Sequence, residues 1–419
     1  MSEASVLPTR RTLAWVALAY LLLIVSLSVP RAVGSSWRSI MSPRDMRSLE
    51  GNPVQWEAFL VLRSLRAMSS NEVTEALTEW FSTDEYRATL PTYVAAIASQ
   101  ITGSYVIGIT ASEVVWWWVG ALAVFVLAKS FVGTPTAFCA GLLTCASPIG
   151  MGHIGSGHLH TASSLSLSLF VTIAWQLLES DRFGLFEKAI LYGSCVYLSS
   201  ITYTYQWFLA PFFVVVAIIP RVSRGRLLAS ILGIGVFLTL RWVSYGVLAL
   251  GGVEVHAHLN DPLRVIQDRL SSLSDTGGQW VAIGSFLTDT VANVVLGTVT
   301  SYHPAVVLFA AVGLVGTHDA RFLVASGTAI ILGFAFGAIY GVPWVLMSGY
   351  PFVYMLAAHG MTRASHAVAA HLPLLRERQY ASIALLASFT VIVATLTNLD
   401  LVGDPTFAMA WWRSWYTPH

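Results

Sequence analysis

Long apolar blocks, separated by short polar connections, run along the chain from Thr12 to Leu399. Each block is about 15–25 residues long. That is the length at which an α-helix, rising about 1.5 Å per residue, crosses a hydrocarbon core of about 30 Å. The blocks fall at 12–30, 112–131, 134–150, 160–179, 187–202, 204–220, 226–250, 303–317, 321–340, 343–361 and 379–399. A membrane β-barrel would instead show alternation in segments of about ten residues. The pattern predicts an all-α polytopic integral membrane protein with about eleven transmembrane helices, organised as a single membrane domain over 1–419.

Charge sets the expected orientation. The connections that face inward when the N-terminus is inside hold Arg10, Arg11, Lys129, Arg182, Lys188, Arg221, Arg224, Arg226, Arg321, Arg363, Arg376 and Arg378. The short outer connections near 151–159, 203 and 341 hold no Lys or Arg, as the positive-inside rule requires. The apolar stretch Trp280–Thr300 tempts a twelfth span. Counting it would move Arg363, Arg376 and Arg378 outside, so it is expected along the outer surface or as a re-entrant piece. Arg10, Arg11 and the following apolar run have the outline of a signal peptide, but no small-residue cleavage site follows. The run is read as a retained first helix. The expected location is the cell (plasma or inner) membrane.

Composition agrees. The 419 residues are 55% hydrophobic and 11% charged, where a soluble chain carries about 25% charged residues. The net charge of +1 and the absence of a basic cluster give no footing for nucleic acid. Cys139, Cys145 and Cys195 fall inside apolar blocks and read as small buried side chains, neither disulfides nor metal ligands. No internal repeat is visible. That weighs against a transporter, since many transporter folds are built from repeats.

Two long outer loops are expected, at 31–111 and 251–302. In the first, Val54–Met68 and Asn71–Phe81 have apolar residues at helical spacing. Arg63, Arg66 and Glu72, Glu75, Glu79 lie on their polar sides. Both segments read as interface helices or as solvated amphipathic caps. Pro91 leads an apolar stretch, Thr92–Ile109, that dips into the membrane or packs on it. Pro262–Leu273, with Arg264, Asp268 and Arg269, is a further amphipathic piece.

Four groups have the chemistry for a site. Asp45 sits between Arg44 and Arg47, about fifteen residues past the first span. A carboxylate there can take a proton from an acceptor, and flanking guanidiniums can grip a phosphate. The plainer reading is an exposed acid in a mixed-charge turn. The outer loop Gly152–Leu159 and the residue after it carry His153, His158 and His160. These can bind metal, contact a phosphate or sugar, or simply be polar loop residues. Arg241 lies about 22 Å along the seventh span. It faces a cavity or partner, or snorkels outward beside Trp242. Tyr203 and Tyr205, at the turn between spans five and six, line a sugar pocket or belong to an interfacial aromatic belt.

In order along the chain, these elements resemble the C-type glycosyltransferase (GT-C) superfamily. The nearest branch by pattern is that of protein O-mannosyltransferases and aminoarabinose transferases. The likeness is carried by Asp45 early in the first loop and by Leu90-Pro91-Thr92-Tyr93 with Ile101-Thr102-Gly103. Ala123–Gly133, Ala140–Pro148, Leu198–Pro211 and Ser348–Gly360 continue it. The resemblance implies transfer of a sugar from a polyprenyl-phosphate carrier to a protein or glycolipid acceptor on the outer face. Asp45 is then the catalytic base, with Arg44, Arg47, His153, His158, His160, Tyr203, Tyr205 and Arg241 around the donor. Glu50, Asp84 and Glu85 are alternative acids in the same loop. With no compact acidic cluster, the metal-free type is expected, with a divalent metal as the lesser alternative.

The chain also departs from the family pattern. Asp45 is followed by Met46, not Glu. Tyr203 and Tyr205 stand where a lysine is often found, and Gly349 stands where an arginine is expected before Tyr350. Two other functions stay open: a transporter or flippase for a lipid-linked or small substrate, and a non-catalytic GT-C-like subunit of a membrane assembly.

Overall fold

The computed structural model describes residues 8–34, 89–103, 105–147, 159–202, 224–250, 304–315, 322–331 and 349–371, with shorter pieces at 271, 280, 281, 283–288, 290, 291, 302 and 317. Every regular element among them is helical. In chain order the helices are α1 (Arg10–Gly34), α2 (Thr89–Thr102), α3 (Tyr105–Lys129), α4 (Thr134–Cys145), α5 (Leu159–Glu179), α6 (Leu185–Thr202), α7 (Arg224–Leu250), α8 (Pro304–Val315) and α9 (Tyr350–His371). A further helical stretch covers Phe322–Ile331.

Local signals start and stop these helices. Thr9 caps α1, its Oγ1 accepting from the Thr12 N–H at 3.2 Å. Gly184 opens α6 with Glu187 three residues on, and the Glu187 carboxylate accepts from the Gly184 N–H at 2.9 Å. Gly103, at φ +68°, ends α2 in the left-handed conformation that favours glycine. The chain then doubles back into α3. The proline–aromatic segment and its downstream glycine are therefore the start and stop of one helix. α2, which covers most of the Thr92–Ile109 stretch with the start of α3, lies against α3 and touches α5 and α6.

Among the described residues three helices are long and apolar enough to cross a bilayer: Arg10–Leu27, Thr110–Lys129 and Arg224–Ser244. Shorter apolar helices cover Thr134–Cys145, Ser166–Glu179, Ala305–Val315 and Phe322–Ile331. Together they support a polytopic membrane fold. Of the expected spans, 204–220 and 379–399 lie outside the described residues, and each of the others overlaps a described helix.

Several boundaries move, for physical reasons. The second span begins at Tyr105, not 112, because the Gly103 turn lets α3 start early. α4 stops at Cys145 because Pro148 disfavours helical backbone at Ser147. The late span 343–361 becomes α9, Tyr350–His371. Pro351 is tolerated in its first turn, and Ala-rich sequence carries the helix past Arg363.

α3 is the central helix. It packs on α1, α2, α4, α5 and α9. In its apolar window 61% of residues are buried, against 17% for α1 and 28% for α7. On α1, Val16, Tyr20 and Ile24 turn inward while Trp15, Leu18, Leu22 and Val25 turn outward. On α7, Leu228, Ile231, Leu238 and Trp242 are exposed. Outer rows of large apolar groups are what helices facing acyl chains present.

Lipid gives little hydrophobic drive between helices, so close backbone approach and hydrogen bonds hold them together. Gly313 on α8 and Gly360 on α9 meet so closely that an added Cβ would overlap a carbonyl across the contact. Gly141 lies under the ring of Tyr20, whose hydroxyl donates to the Phe138 carbonyl at 2.8 Å. The Trp118 indole N–H donates to the Ala17 carbonyl, joining α3 to α1. Cys139, Cys145 and Cys195 are buried free thiols, as the sequence suggests.

These contacts fix helix directions. Ser168, Thr172 and Gln176 on α5 bond to Gly120, Ala123 and Ser130, so α5 runs parallel to α3. Thr136 on α4 pairs with Thr362 on α9. Arg10, Lys129, Arg182, Lys188, Arg226 and Arg363 consequently gather at one end of the bundle. There Arg226 pairs with Glu179 at 2.8 Å.

Candidate functional site

The end of the bundle opposite that cationic end carries few ionisable groups among the described residues, and two of them are held inside. Glu113 is the first. It occurs in the third turn of α3, three residues into the apolar window, and its residue surface is 3% exposed. Helical spacing puts it on the same face as Trp117 and Gly120. That face looks into the bundle: the Trp117 indole donates to the Thr144 carbonyl on α4, and Gly120 accepts from Ser168 on α5. Beside it, the Ser112 hydroxyl donates to the Pro91 carbonyl at 3.3 Å, tying the first turn of α2 to α3.

Arg241 is the second. It is half-buried on α7, and its Nη1 donates to Ser200 Oγ on α6 at 3.3 Å. Ser200 in turn donates to the Tyr197 carbonyl, and the Tyr197 and Ser244 hydroxyls share a short hydrogen bond. Both sequence alternatives for Arg241 are thereby narrowed: the guanidinium turns onto α6 near its last turn, while Trp242 faces outward. α2 packs on both α3, which carries Glu113, and α6, which receives Arg241.

A buried hydroxyl cluster lies deeper in the same half. Tyr350 donates to Ser168 Oγ at 2.6 Å, and Ser168 donates to the Gly120 carbonyl at 2.9 Å. Tyr354 packs edge-on against Tyr302 and Tyr350. This cluster joins α3, α5 and α9 in a layer where hydroxyls replace water.

The remaining sequence candidates divide simply. Arg44, Asp45, Arg47, Glu50, Asp84, Glu85, His153, His158, Tyr203 and Tyr205 lie outside the described residues. His160 occupies the first turn of α5, at the same end of the bundle as Glu113. The two expected interface helices and Pro262–Leu273 also fall outside the described residues. Within Trp280–Thr300, residues 283–288 are helical, and Trp280, Val281 and Leu287 are exposed.

Gly349, where the sequence pattern leads one to expect an arginine, leaves room for a side-chain Cβ. An added Cβ would stand 3.4 Å from the Ala329 carbonyl and the Ile330 Cα. The backbone there lies against the helical stretch Phe322–Ile331 at ordinary contact distance.

Sequence reading missed Glu113. With the span begun at 112, Glu113 falls at its second residue. The available signal was Gly103 as a helix stop, which starts α3 two residues later and makes Glu113 an interior residue. Ser200, as the acceptor for Arg241, carried no such signal.

No protein-family model matches the chain, and no curated protein sequence matches it. Solved structures do. The Archaeoglobus fulgidus oligosaccharyltransferase in complex with Zn and sulfate superposes with a TM-score of 0.58 at 13% identity, over 92% of this chain and 52% of that one. The oligosaccharyltransferase AglB of the same organism, in complex with an inhibitory peptide and a dolichol-phosphate, gives 0.54 at 14%, over 93% and 55%. The apo form gives 0.51 at 13%, over 98% and 57%. The chain spans about half the length of these proteins. At such identity the likeness is one of fold. The chain thus shares, over more than nine-tenths of its length, the fold of these oligosaccharyltransferase structures.

Proposed function

We propose that this chain is a membrane glycosyltransferase that moves a sugar from a polyprenyl-phosphate carrier to a protein or glycolipid acceptor on the outer face of the cell membrane. The observation that carries the reading is the shared fold, since a neighbour with that fold has been captured with a dolichol-phosphate and a peptide. The same fold in this chain offers apolar helix faces for an isoprenoid tail and polar groups at the end opposite the cationic one.

The roles follow from chemistry. Asp45 removes the proton from the acceptor as it displaces the carrier phosphate. Arg241 meets the phosphate, a guanidinium held near the last turn of α6 by the Ser200 hydroxyl. Arg44, Arg47, His153, His158 and His160 add contacts to the phosphate, and Tyr203 and Tyr205 flank the sugar. Glu113 is a positioning residue on α3, next to the Ser112–Pro91 contact that ties α2 to α3. With the N-terminus inside, the cationic end faces the cytoplasm and this site faces out. The mannosyltransferase-like branch, and with it a single sugar rather than an oligosaccharide, is the narrower form of the proposal. It rests on the Pro91 entry and the Gly103 stop.

One observation favours a second reading, a non-catalytic GT-C-like subunit. Gly349 stands where the superfamily pattern leads one to expect a cation. Deleting the gene and profiling cell-surface glycans and glycolipids by mass spectrometry separates the two. Loss of a defined glycan that returns with the wild-type chain but not with Asp45→Asn supports the transferase. Return with both supports the subunit.

A further inference from the structure

A groove of about 510 Å3 runs along the contact between α8 and α9, away from the site described above. Leu308, Val312 and Val315 line it from α8, and Ala364 and Ala367 from α9. Arg363 is the one charged residue in its lining. Its Nη1 donates to the Val312 carbonyl at 3.3 Å, which pins the guanidinium across the groove and takes one of its five N–H donors.

Depth and charge bear on what fills it. Thr362, next to Arg363, pairs with Thr136 in the first turn of α4, so Arg363 stands at the cationic end of the bundle with Lys129 and Arg226. The apolar wall is open, with Val315 87% exposed. In a bilayer such a wall takes an acyl chain. A guanidinium beside it, at headgroup depth, takes a phosphate bidentately. A zwitterionic headgroup brings its own cation to an end already crowded with cations. An anionic headgroup neutralises them, and anionic lipids populate the cytoplasmic leaflet.

We propose that the α8–α9 groove binds one anionic phospholipid of the leaflet at the cationic end, its acyl chain along Leu308, Val312 and Val315 and its phosphate on Arg363. The site is separate from the donor site, which lies at the other end of the bundle. It rests on the chain being a membrane protein and not on its being a transferase.

The test needs no enzymatic assay. The full chain is purified in detergent, offered phosphatidylglycerol or phosphatidylcholine, and read by native mass spectrometry for retained lipid. The wild type is expected to retain phosphatidylglycerol at least about tenfold more than phosphatidylcholine, and Arg363→Gln to lose that preference. Leu308→Trp, which fills the groove and leaves Arg363 in place, is expected to lower retention of both lipids. Equal retention of the two lipids by the wild type overturns the proposal. So does unchanged phosphatidylglycerol retention in Leu308→Trp, which decides the matter alone should Arg363→Gln fail to fold.

Discussion

Arg241 on α7 donates to Ser200 on α6 across 3.3 Å, at the end of the bundle where α6 stops. The contact joins two helices that run parallel, since Gly193 meets Gly233 lower down. It also holds a guanidinium inside a helix otherwise faced with Leu238, Trp242 and Val243. A charge kept there has a substantial desolvation cost, which marks it as functional unless packing alone explains it.

Arg241→Ala is therefore expected to weaken binding of a polyprenyl phosphate by about ten- to a hundredfold, the worth of one or two charge-assisted hydrogen bonds. Ser200→Ala leaves the guanidinium in place and is expected to change affinity less than threefold. Titrating the purified protein with polyprenyl phosphate checks both. Unchanged affinity in Arg241→Ala removes the residue from the donor site.

Glu113 makes the complementary case. As a positioning residue it is expected to tolerate Glu113→Gln in folding, while the rate of transfer falls about tenfold or more. Glu113→Leu tests the purely structural role. A Leu variant with wild-type transfer and higher thermal stability shows that the carboxyl serves neither purpose, because replacing a buried polar group by an apolar one then only relieves desolvation.

The glycine crossing of α8 and α9 is a packing claim with a direct test. Gly360→Val forces a side chain into the Phe309 backbone. It is expected to lower stability by about 1–3 kcal/mol, or more where the helices cannot separate. Gly235→Val is the matched control, because nothing lies within 4 Å of its Cβ position. Thermal melting of the two variants in the same detergent should separate them clearly.

The thiols give a simple probe of burial. Cys139, Cys145 and Cys195 are buried among apolar groups. A membrane-permeant maleimide is expected to leave all three unmodified in the native protein and to label them after denaturation. Rapid native labelling of Cys139 or Cys195 contradicts the packing of α4 or α6.

How far the sequence reads can be judged from particular residues. Apolar block length placed α5, α6 and α7 to within two residues, because a bilayer selects helix length directly. The gathering of Lys129, Arg182 and Arg226 at one end was legible for the same reason: lipid sorts charge by side. Boundaries set by turn chemistry were less visible. The Gly103 stop and the Pro148 break shifted α3 and α4 by several residues, and the first shift hid Glu113. Contacts across helices were not legible at all. Nothing in a linear pattern says that Gly360 meets Gly313, or that Tyr350 finds Ser168. The functional reading drew on the order of weak motifs. The chain's fold has counterparts among solved structures.

The central claim is that Asp45 drives sugar transfer from a lipid phosphate. The most direct measurement reconstitutes the chain in vesicles with labelled polyprenyl-phosphate sugars and a membrane extract as acceptor, and compares it with Asp45→Asn inserted to the same level. The account predicts labelled acceptor with the wild type and loss of at least about 99% of it with the variant, the scale expected for removing a general base. Equal labelling by the two proteins would contradict it.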